Sequence, residues 1–322
     1  MRKTFILLLA LLAVSFVYGQ TDSLSKEERR ALDSMFRNDE FIKLMMKKDK
    51  SYFDLGIGVG NSIFSINNNA LNVEQAQTEK LYYVPSVGYY HKSGFSVSVN
   101  SFLADDKGSL KMYQWAISPA YVYSGKKISA GVSYTRFIEG SSTSFETSPF
   151  KNDIYGSFRY KKTWIEPGIA TGIAFGRVKN YYDTTYWDTV HMRPVHLEKE
   201  IITRISGFSL TFSASHRFTF EKLLGRKDAM QIQPAILLNG SSQRWTTTYT
   251  PSRTPVLNLL KRKYGESGNT QFKIQSTAFM IDITYYYGKF YIQPQLYLDY
   301  YLPSTTEKRL TTLFSLTTGF ML

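Results

Sequence analysis

The chain of 322 residues has no cysteine, four histidines and, beyond its first 20 residues, no run of 18 or more apolar residues. The absence of cysteine excludes disulfides, thiolate nucleophiles, thiolate metal ligands and an acylatable cysteine start. The absence of a long apolar run excludes a helical membrane protein. Acidic residues are also scarce relative to basic ones, 26 against 39, for a formal charge of +13. Yet the chain is rich in Tyr (24), Phe (22) and Gly (21), with a mean hydropathy of −0.25. Hydropathy near zero in so aromatic a chain is typical of a sheet in which only alternate residues meet an apolar phase.

The first residues set an expectation about compartment. Arg2-Lys3 form a basic start, Phe5 to Val17 an apolar stretch, and Val17-Tyr18-Gly19 a small-residue cleavage site before Gln20. Residues 1–19 therefore read as a secretory signal peptide, too short to hold a bilayer as a mature helix. Residues 20–50 differ in pattern from the remainder of the chain. Ser25 and Glu28 have capping-box spacing, and Leu32, Met35, Phe36, Ile42, Met45 and Met46 recur at helical spacing among many charges. This predicts a short periplasmic amphipathic helical segment, with a break at Asn38, that either packs at a rim or enters the lumen as a plug.

From Ser51 the period changes to two. Twelve strands are predicted over 51–66, 81–91, 94–103, 111–124, 127–138, 152–161, 163–176, 204–220, 229–239, 272–287, 289–302 and 309–322. Connections alternate. Short turns fall at Lys92-Ser93, Gly125-Lys126, Lys161-Lys162, Glu221–Asp228 and Tyr287-Gly288; longer loops fall at 67–80, 104–110, 139–151, 177–203, 240–271 and 303–308. Short turns on one side and long loops on the other suit a barrel through an outer membrane, and an even strand count returns both barrel ends to the periplasmic side. A membrane can otherwise be crossed only by helices, since every backbone group must be paired internally.

The faces agree. Met230, Ile232, Pro234, Ile236 and Leu238 alternate with Gln231, Gln233, Ala235, Leu237 and Asn239, and Phe290 to Tyr300 alternate likewise with Tyr291, Gln293, Gln295, Tyr297 and Asp299. Tyr113, Trp115, Ile117, Pro119, Tyr121 and Tyr123 are placed together on one apolar face. Five prolines (Pro85, Pro119, Pro167, Pro234, Pro294) fall on such faces, each two residues after Tyr or Ile. Proline cannot donate to a ladder, so each marks a place where strand pairing is relaxed. A periplasmic sandwich would share an apolar inner face, but not aromatics clustered near strand ends, as Tyr121, Tyr123, Phe158 and Phe218 are near the turns.

The last predicted strand puts Leu310, Thr312, Phe314, Leu316, Thr318, Phe320 and Leu322 on one face. It resembles the C-terminal strand of bacterial (Gram-negative) outer-membrane β-barrel proteins, with Phe320 at the aromatic position and Leu322 where Phe is commoner. The resemblance is at class level, spans the signal and residues 51–322, and points to no specific transporter or enzyme family. It implies outer-membrane localisation and recognition of the last strand by the barrel-insertion machinery.

Function is less legible. Candidate lumen-lining residues are Asp54, Arg159, Glu166, Gln231, Gln233, Asp282, Gln293, Gln295 and Asp299, since ionisable groups at membrane depth face the interior. Arg159 and Glu166 are expected to meet across the Lys161-Lys162 hairpin, either bracing the wall or selecting solutes. Gly56, Gly58 and Gly60 on one inward face predict an open groove. Candidate periplasmic-rim contacts to anionic lipid are Lys92, Lys126, Lys127, Lys161, Lys162 and Lys227, equally explained as soluble turns. The outer loops carry Tyr181, Tyr182, Tyr186, Trp187, Trp245 and Tyr249, and the basic 240–271 loop suits lipopolysaccharide. His191 and His196 are the only histidines near several carboxylates; His91 lies in a turn, and Ser215 and His216 point to opposite faces. No catalytic, metal or cofactor residue is assigned, and nucleic acid does not suit an exported rim of charge.

These readings converge on an all-β transmembrane antiparallel up-and-down barrel over residues 51–322. Twelve strands tilted by roughly 40° give a backbone radius of about 12 Å, enough for a narrow channel. The first functional expectation is passive passage of small solutes. The second is a closed barrel acting as receptor, adhesin or scaffold through its outer loops, and a barrel-borne hydrolase comes third.

Overall fold

A computed structural model of the chain describes residues 50–61, 81–106, 108–139, 150–188, 193–225, 228–249, 267–302 and 309–322. The predicted N-terminal helix, the end of the first predicted strand (62–66), the 67–80 loop and Lys227 lie outside them. Fourteen strands run in order: β1 Tyr52–Gly60, β2 Tyr82–Tyr90, β3 Phe95–Asp106, β4 Ser109–Ser124, β5 Ile128–Glu139, β6 Asn152–Tyr160 and β7 Glu166–Asp188. Then come β8 Arg193–Ser215, β9 Phe218–Glu221, β10 Asp228–Tyr249, β11 Gly268–Asn269, β12 Lys273–Tyr287, β13 Phe290–Tyr301 and β14 Leu310–Met321. The strands β8 and β9 are one stave interrupted at His216-Arg217, and β11 prolongs β12, so the wall has twelve staves. Every neighbour pairs antiparallel, β8 meets β10, and β1 meets β14, which closes the barrel.

All five prolines sit at a defect in one of their ladders. Between β2 and β3 the pairing jumps from Tyr83↔Leu103 to Ser86↔Asn100, skipping Pro85. It skips Pro119 between Ile117↔Arg136 and Ala120↔Ser133, and Pro294 between Asp282↔Gln295 and Tyr285↔Ile292. Pro167 lies just past the end of the β6–β7 ladder at Arg159↔Gly168, and Pro234 lies opposite the break between β8 and β9. The cause is the missing N–H. On the opposite side, where no proline N–H is required, the pairs Ile57↔Pro85 and Pro294↔Leu316 stay in register.

Three expectations about connections and faces are corrected. The 177–203 segment is chiefly ribbon: β7 and β8 remain paired from Arg177↔Arg204 up to Asp188↔Arg193, and β10 runs on to Tyr249. The Tyr, Thr, Val and Ile that enrich these stretches are strand formers even where no bilayer demands a strand. The 104–110 loop shrinks to the two positions between Asp106 and Ser109, which pair with each other, and Gly108 there has φ +83°. Finally, Tyr113 leaves the outward face. The β3–β4 register shifts at Phe102/Leu103, and Tyr113 is buried with the inward residues Tyr82 and Ala104. A bulge turns two successive side chains to one side, which strict alternation cannot foresee.

Candidate functional site: the barrel interior

Cross-strand partners share a face, so the pairings define the interior. All nine candidate lining residues fall on it. Asp54 faces Gly88 and Met321, Arg159 faces Gly168, and Glu166 faces Ser215. Gln231 faces Thr284; Gln233, Asp282 and Gln295 form one row across β10, β12 and β13; Gln293 faces Thr317, and Asp299 faces Ala278 and Thr311.

The structure joins several of them around Asp282. Gln293 and Gln295 donate from Nε2 to Oδ2 of Asp282 at 2.7 and 2.8 Å, and Thr284 donates to Oδ1 at 3.1 Å. Ser315 donates to Oε1 of Gln295 at 3.0 Å, and Arg217 donates to Oε1 of Gln233 at 3.3 and 3.4 Å. Arg159 stands 3.8 Å from Glu166, the one cross-hairpin ion pair expected from the sequence. A carboxylate that accepts two amides and a hydroxyl is held in place by charge-assisted bonds, each stronger than a neutral one.

Asp153 and Asn239 complete the polar wall. Asp153 is fully buried between Thr135 and Ala174 on the inward face, at the same parity as Arg159. Counting by twos back from Arg159 would have found it. Asn239 is likewise fully buried. It accepts from Thr211 at 2.9 Å and donates to Tyr297 and Ser276 at 2.9 and 3.2 Å, tying β8, β10, β12 and β13 together. Towards the loop end Lys111, Lys151, Lys273 and Arg309 share this inward parity; below them the named inward ionisable groups are five carboxylates (Asp54, Asp153, Glu166, Asp282, Asp299) and two guanidinium groups (Arg159, Arg217).

The interior is filled unevenly. Leu237, Met280, Tyr297 and Leu313 form a buried cluster on one wall, and Phe102, Ala116 and Phe137 form another across β3–β5. The polar inward residues Gln231, Gln233, Gln293, Gln295, Ser118, Ser133 and Ser157, by contrast, are only half-buried.

The expected glycine groove is occupied. Tyr291 on β13 reaches over Gly319 on β14 and donates its hydroxyl to Asp54 on β1 at 3.0 Å. A Cβ at Gly319 would lie 2.5 Å from the Tyr291 oxygen, and one at Gly56 would lie 3.2 Å from it. Gly60 is closed in turn by the Phe314 carbonyl, 2.5 Å from a Cβ there. Tyr52 stacks on Tyr90 at 4.9 Å beside this socket, and Tyr286 lies 6.3 Å from Tyr291. Of the three glycines only Gly56 lies under a ring from another strand; Gly58 meets Thr317 and Val84, and Gly60 meets the Phe314 and Ser315 backbone.

At the turns, Lys92, Lys126, Lys127 and Lys162 are exposed, and Lys161 donates to Ser124 at 2.9 Å. His216 bonds the Trp164 carbonyl and lies between the Trp164 and Phe218 rings, while Ser215 is buried on the other face. His196 lies in β8 opposite Thr185, and His191 is outside the described residues. Among the described residues, no three His, Asp or Glu gather as a metal site would require.

No protein-family model matches this sequence, and no curated protein is similar to it in sequence. Solved structures with a similar chain path include a porin and a channel. A NanC porin matches 84% of this chain and all of its own, at TM-score 0.34 and 8% identity. The CymD monoaromatic hydrocarbon channel matches 89% of this chain and 91% of its own, at 0.33 and 10%. OprB of Pseudomonas putida matches 87% and 96%, at 0.24 and 9%. Likeness this distant leaves function to the barrel's own geometry.

Proposed function

We propose that this chain is an outer-membrane barrel that passes small solutes passively through a narrow polar lumen. The half-buried amides and hydroxyls around Asp282 carry the reading. Inside a filled barrel these groups would be fully packed; here they border open space. Twelve staves give a bore that side chains reduce to small-solute width, and the buried clusters around Tyr297 and Phe102 narrow it further from opposite walls. The Asp282 carboxylate, held by two amides and a hydroxyl, favours cations over anions at its level of the wall.

A second reading has its own support. The buried inward aromatics Tyr82, Phe102, Tyr113, Phe137 and Tyr297 are what a closed barrel uses as filling. In that case the wall is a scaffold, and the work falls to the ribbon of β7, β8 and β10. Neither reading requires catalysis, and the lysine turns serve both as contacts to inner-leaflet phosphate.

Single-channel conductance of the refolded protein in a planar bilayer separates them, with and without residues 21–50. Steady cation-preferring conductance supports the channel. Conductance only after truncation makes the N-terminal segment its plug. Silence from both forms, with folding verified by heat-dependent gel mobility, would refute the channel and leave the scaffold.

A further inference from the structure

The outer wall carries a group of cations that is unexpected in a lipid-facing surface. An open pocket of about 470 Å³ is lined by Arg136, Lys151, Arg177, Arg204, Arg244 and Phe175, and none of the described residues lining it is acidic. Register places these side chains outside the barrel, except that of Lys151, which shares the inward parity of Asp153. Arg136, Asn152, Phe175, Ser206 and Arg244 form one continuous row across β5, β6, β7, β8 and β10. Arg177, Arg204 and Thr246 form the next row, on the loop side. Arg136 pairs with the exposed Ile117, and Phe137 beside it is buried, which fixes the parity of the row as outward.

The height of these rows decides what they can meet. The row of Ile128 and Tyr160 adjoins the lysine turns, and Arg136 is four two-residue steps above it. Each step rises about 5 Å at a tilt of roughly 40°, which puts the arginines about 20 Å higher. The apolar band of such barrels is about 25 Å tall, so the cations lie at its outer edge and not at its middle. Directly below them Tyr134, Ile154, Ile173 and Phe208 form an exposed apolar row. Arg136 is further braced, donating to Asn152 Oδ1, which also accepts from Tyr134 at 2.8 Å.

A cationic shelf above an apolar wall matches one kind of molecule, an amphiphile with an anionic head. Arginine forks pair bidentately with phosphate oxygens. We propose that this pocket holds the phosphate group of a phosphorylated glycolipid of the outer leaflet, the class to which lipopolysaccharide belongs, with its acyl chains against the Ile154–Ile173–Phe208 row. The inference rests on the outer-membrane reading but not on the lumen being open.

The test uses the refolded full chain and native mass spectrometry, with bis-phosphorylated lipid A as probe beside the same lipid after enzymatic dephosphorylation. The wild type should retain the phosphorylated form at least tenfold more than the dephosphorylated one. Arg177→Gln, Arg204→Gln and Arg244→Gln together should lower retention about a hundredfold, at roughly fivefold per cation near the headgroups. The corresponding triple Lys variant, which keeps the charge but not the fork, should fall between the two and control for misfolding. Equal retention of both lipids would leave only an apolar wall and overturn the proposal, as would a Gln variant that binds like the wild type. Displacement by millimolar inorganic phosphate would make the site one for free anions and overturn the lipid assignment. Conductance should be the same in every variant, because these side chains face away from the lumen, so a silent channel and an empty pocket are separate results.

Discussion

Replacing Gly319 with Ala tests the socket at the barrel's seam. The added carbon would sit 2.5 Å from the Tyr291 oxygen, 2.6 Å from its Cζ and 2.7 Å from the Leu55 carbonyl, all far inside contact distance. The ring must swing away, and the 3.0 Å bond to Asp54 is lost with it. A hydrogen bond to a charged group contributes about 1.5–3 kcal/mol, and overpacking a close-fitted site adds about 1–3. Asp54 is only partly buried, which favours the lower end, so a loss of about 2–4 kcal/mol is expected for Gly319→Ala. Tyr291→Phe, which removes the bond and keeps the ring, should lose about 1–2. Urea unfolding of the refolded protein in detergent, followed by the heat-dependent gel shift, measures both. Combining Gly319→Ala with Tyr291→Ala adds a sharper criterion. If ring and methyl compete for one space, the double variant should be at least about 1 kcal/mol more stable than the sum of the singles. Strict additivity, or a Gly319→Ala protein as stable as the wild type, would show that the ring does not occupy the glycine groove.

Asn239→Leu should destabilise the barrel by about 2–4 kcal/mol in the same assay, since it removes three hydrogen bonds, to Tyr297, Thr211 and Ser276, from a buried site. If the channel conducts, Asp282→Asn should reduce cation preference, read as a smaller reversal potential across a salt gradient, while Arg217→Gln should increase it. Gly108→Ala should cost about 1 kcal/mol purely through its left-handed backbone, because no atom lies within 4 Å of the new methyl; Gly108→Asn should cost less.

The architecture was readable because alternation is a local property. Each strand of residues 51–322 carries its own record of which side meets lipid, and each proline marks a ladder gap that the pairings then show. What alternation cannot record is an irregularity in count. The bulge at Phe102/Leu103 moved Tyr113 inward, and nothing in the Lys111–Trp115 stretch announces it. Strand ends were missed where the expected boundary was the membrane's and not the chain's, as in β7, β8 and β10, whose β-forming residues continue past it. The interior was legible as a set of polar residues but not as a network. Parity places Asp282, Gln293 and Gln295 on one side; only the registers of β12 and β13 show that they converge on one carboxylate. The arginine pocket was hidden for the same reason, its residues being spread from 136 to 244 and assembled only by the rows of five strands.

The Tyr291–Asp54 bond joins residues 237 positions apart and crosses the join between the first and last strands. There Phe53 and Leu322 also exchange backbone bonds at 3.1 and 2.8 Å. Closing so long a segment costs the most chain entropy of any pairing in the wall, a cost that falls once the other staves are in place, so this join is the one expected to form last. A clasp at that position does nothing for the rate at which the barrel assembles, because it is absent until the final step. Its whole contribution emerges as resistance to opening: the seam is where the wall would first part, and the tyrosine lengthens the lifetime of the closed state without shortening the time taken to reach it.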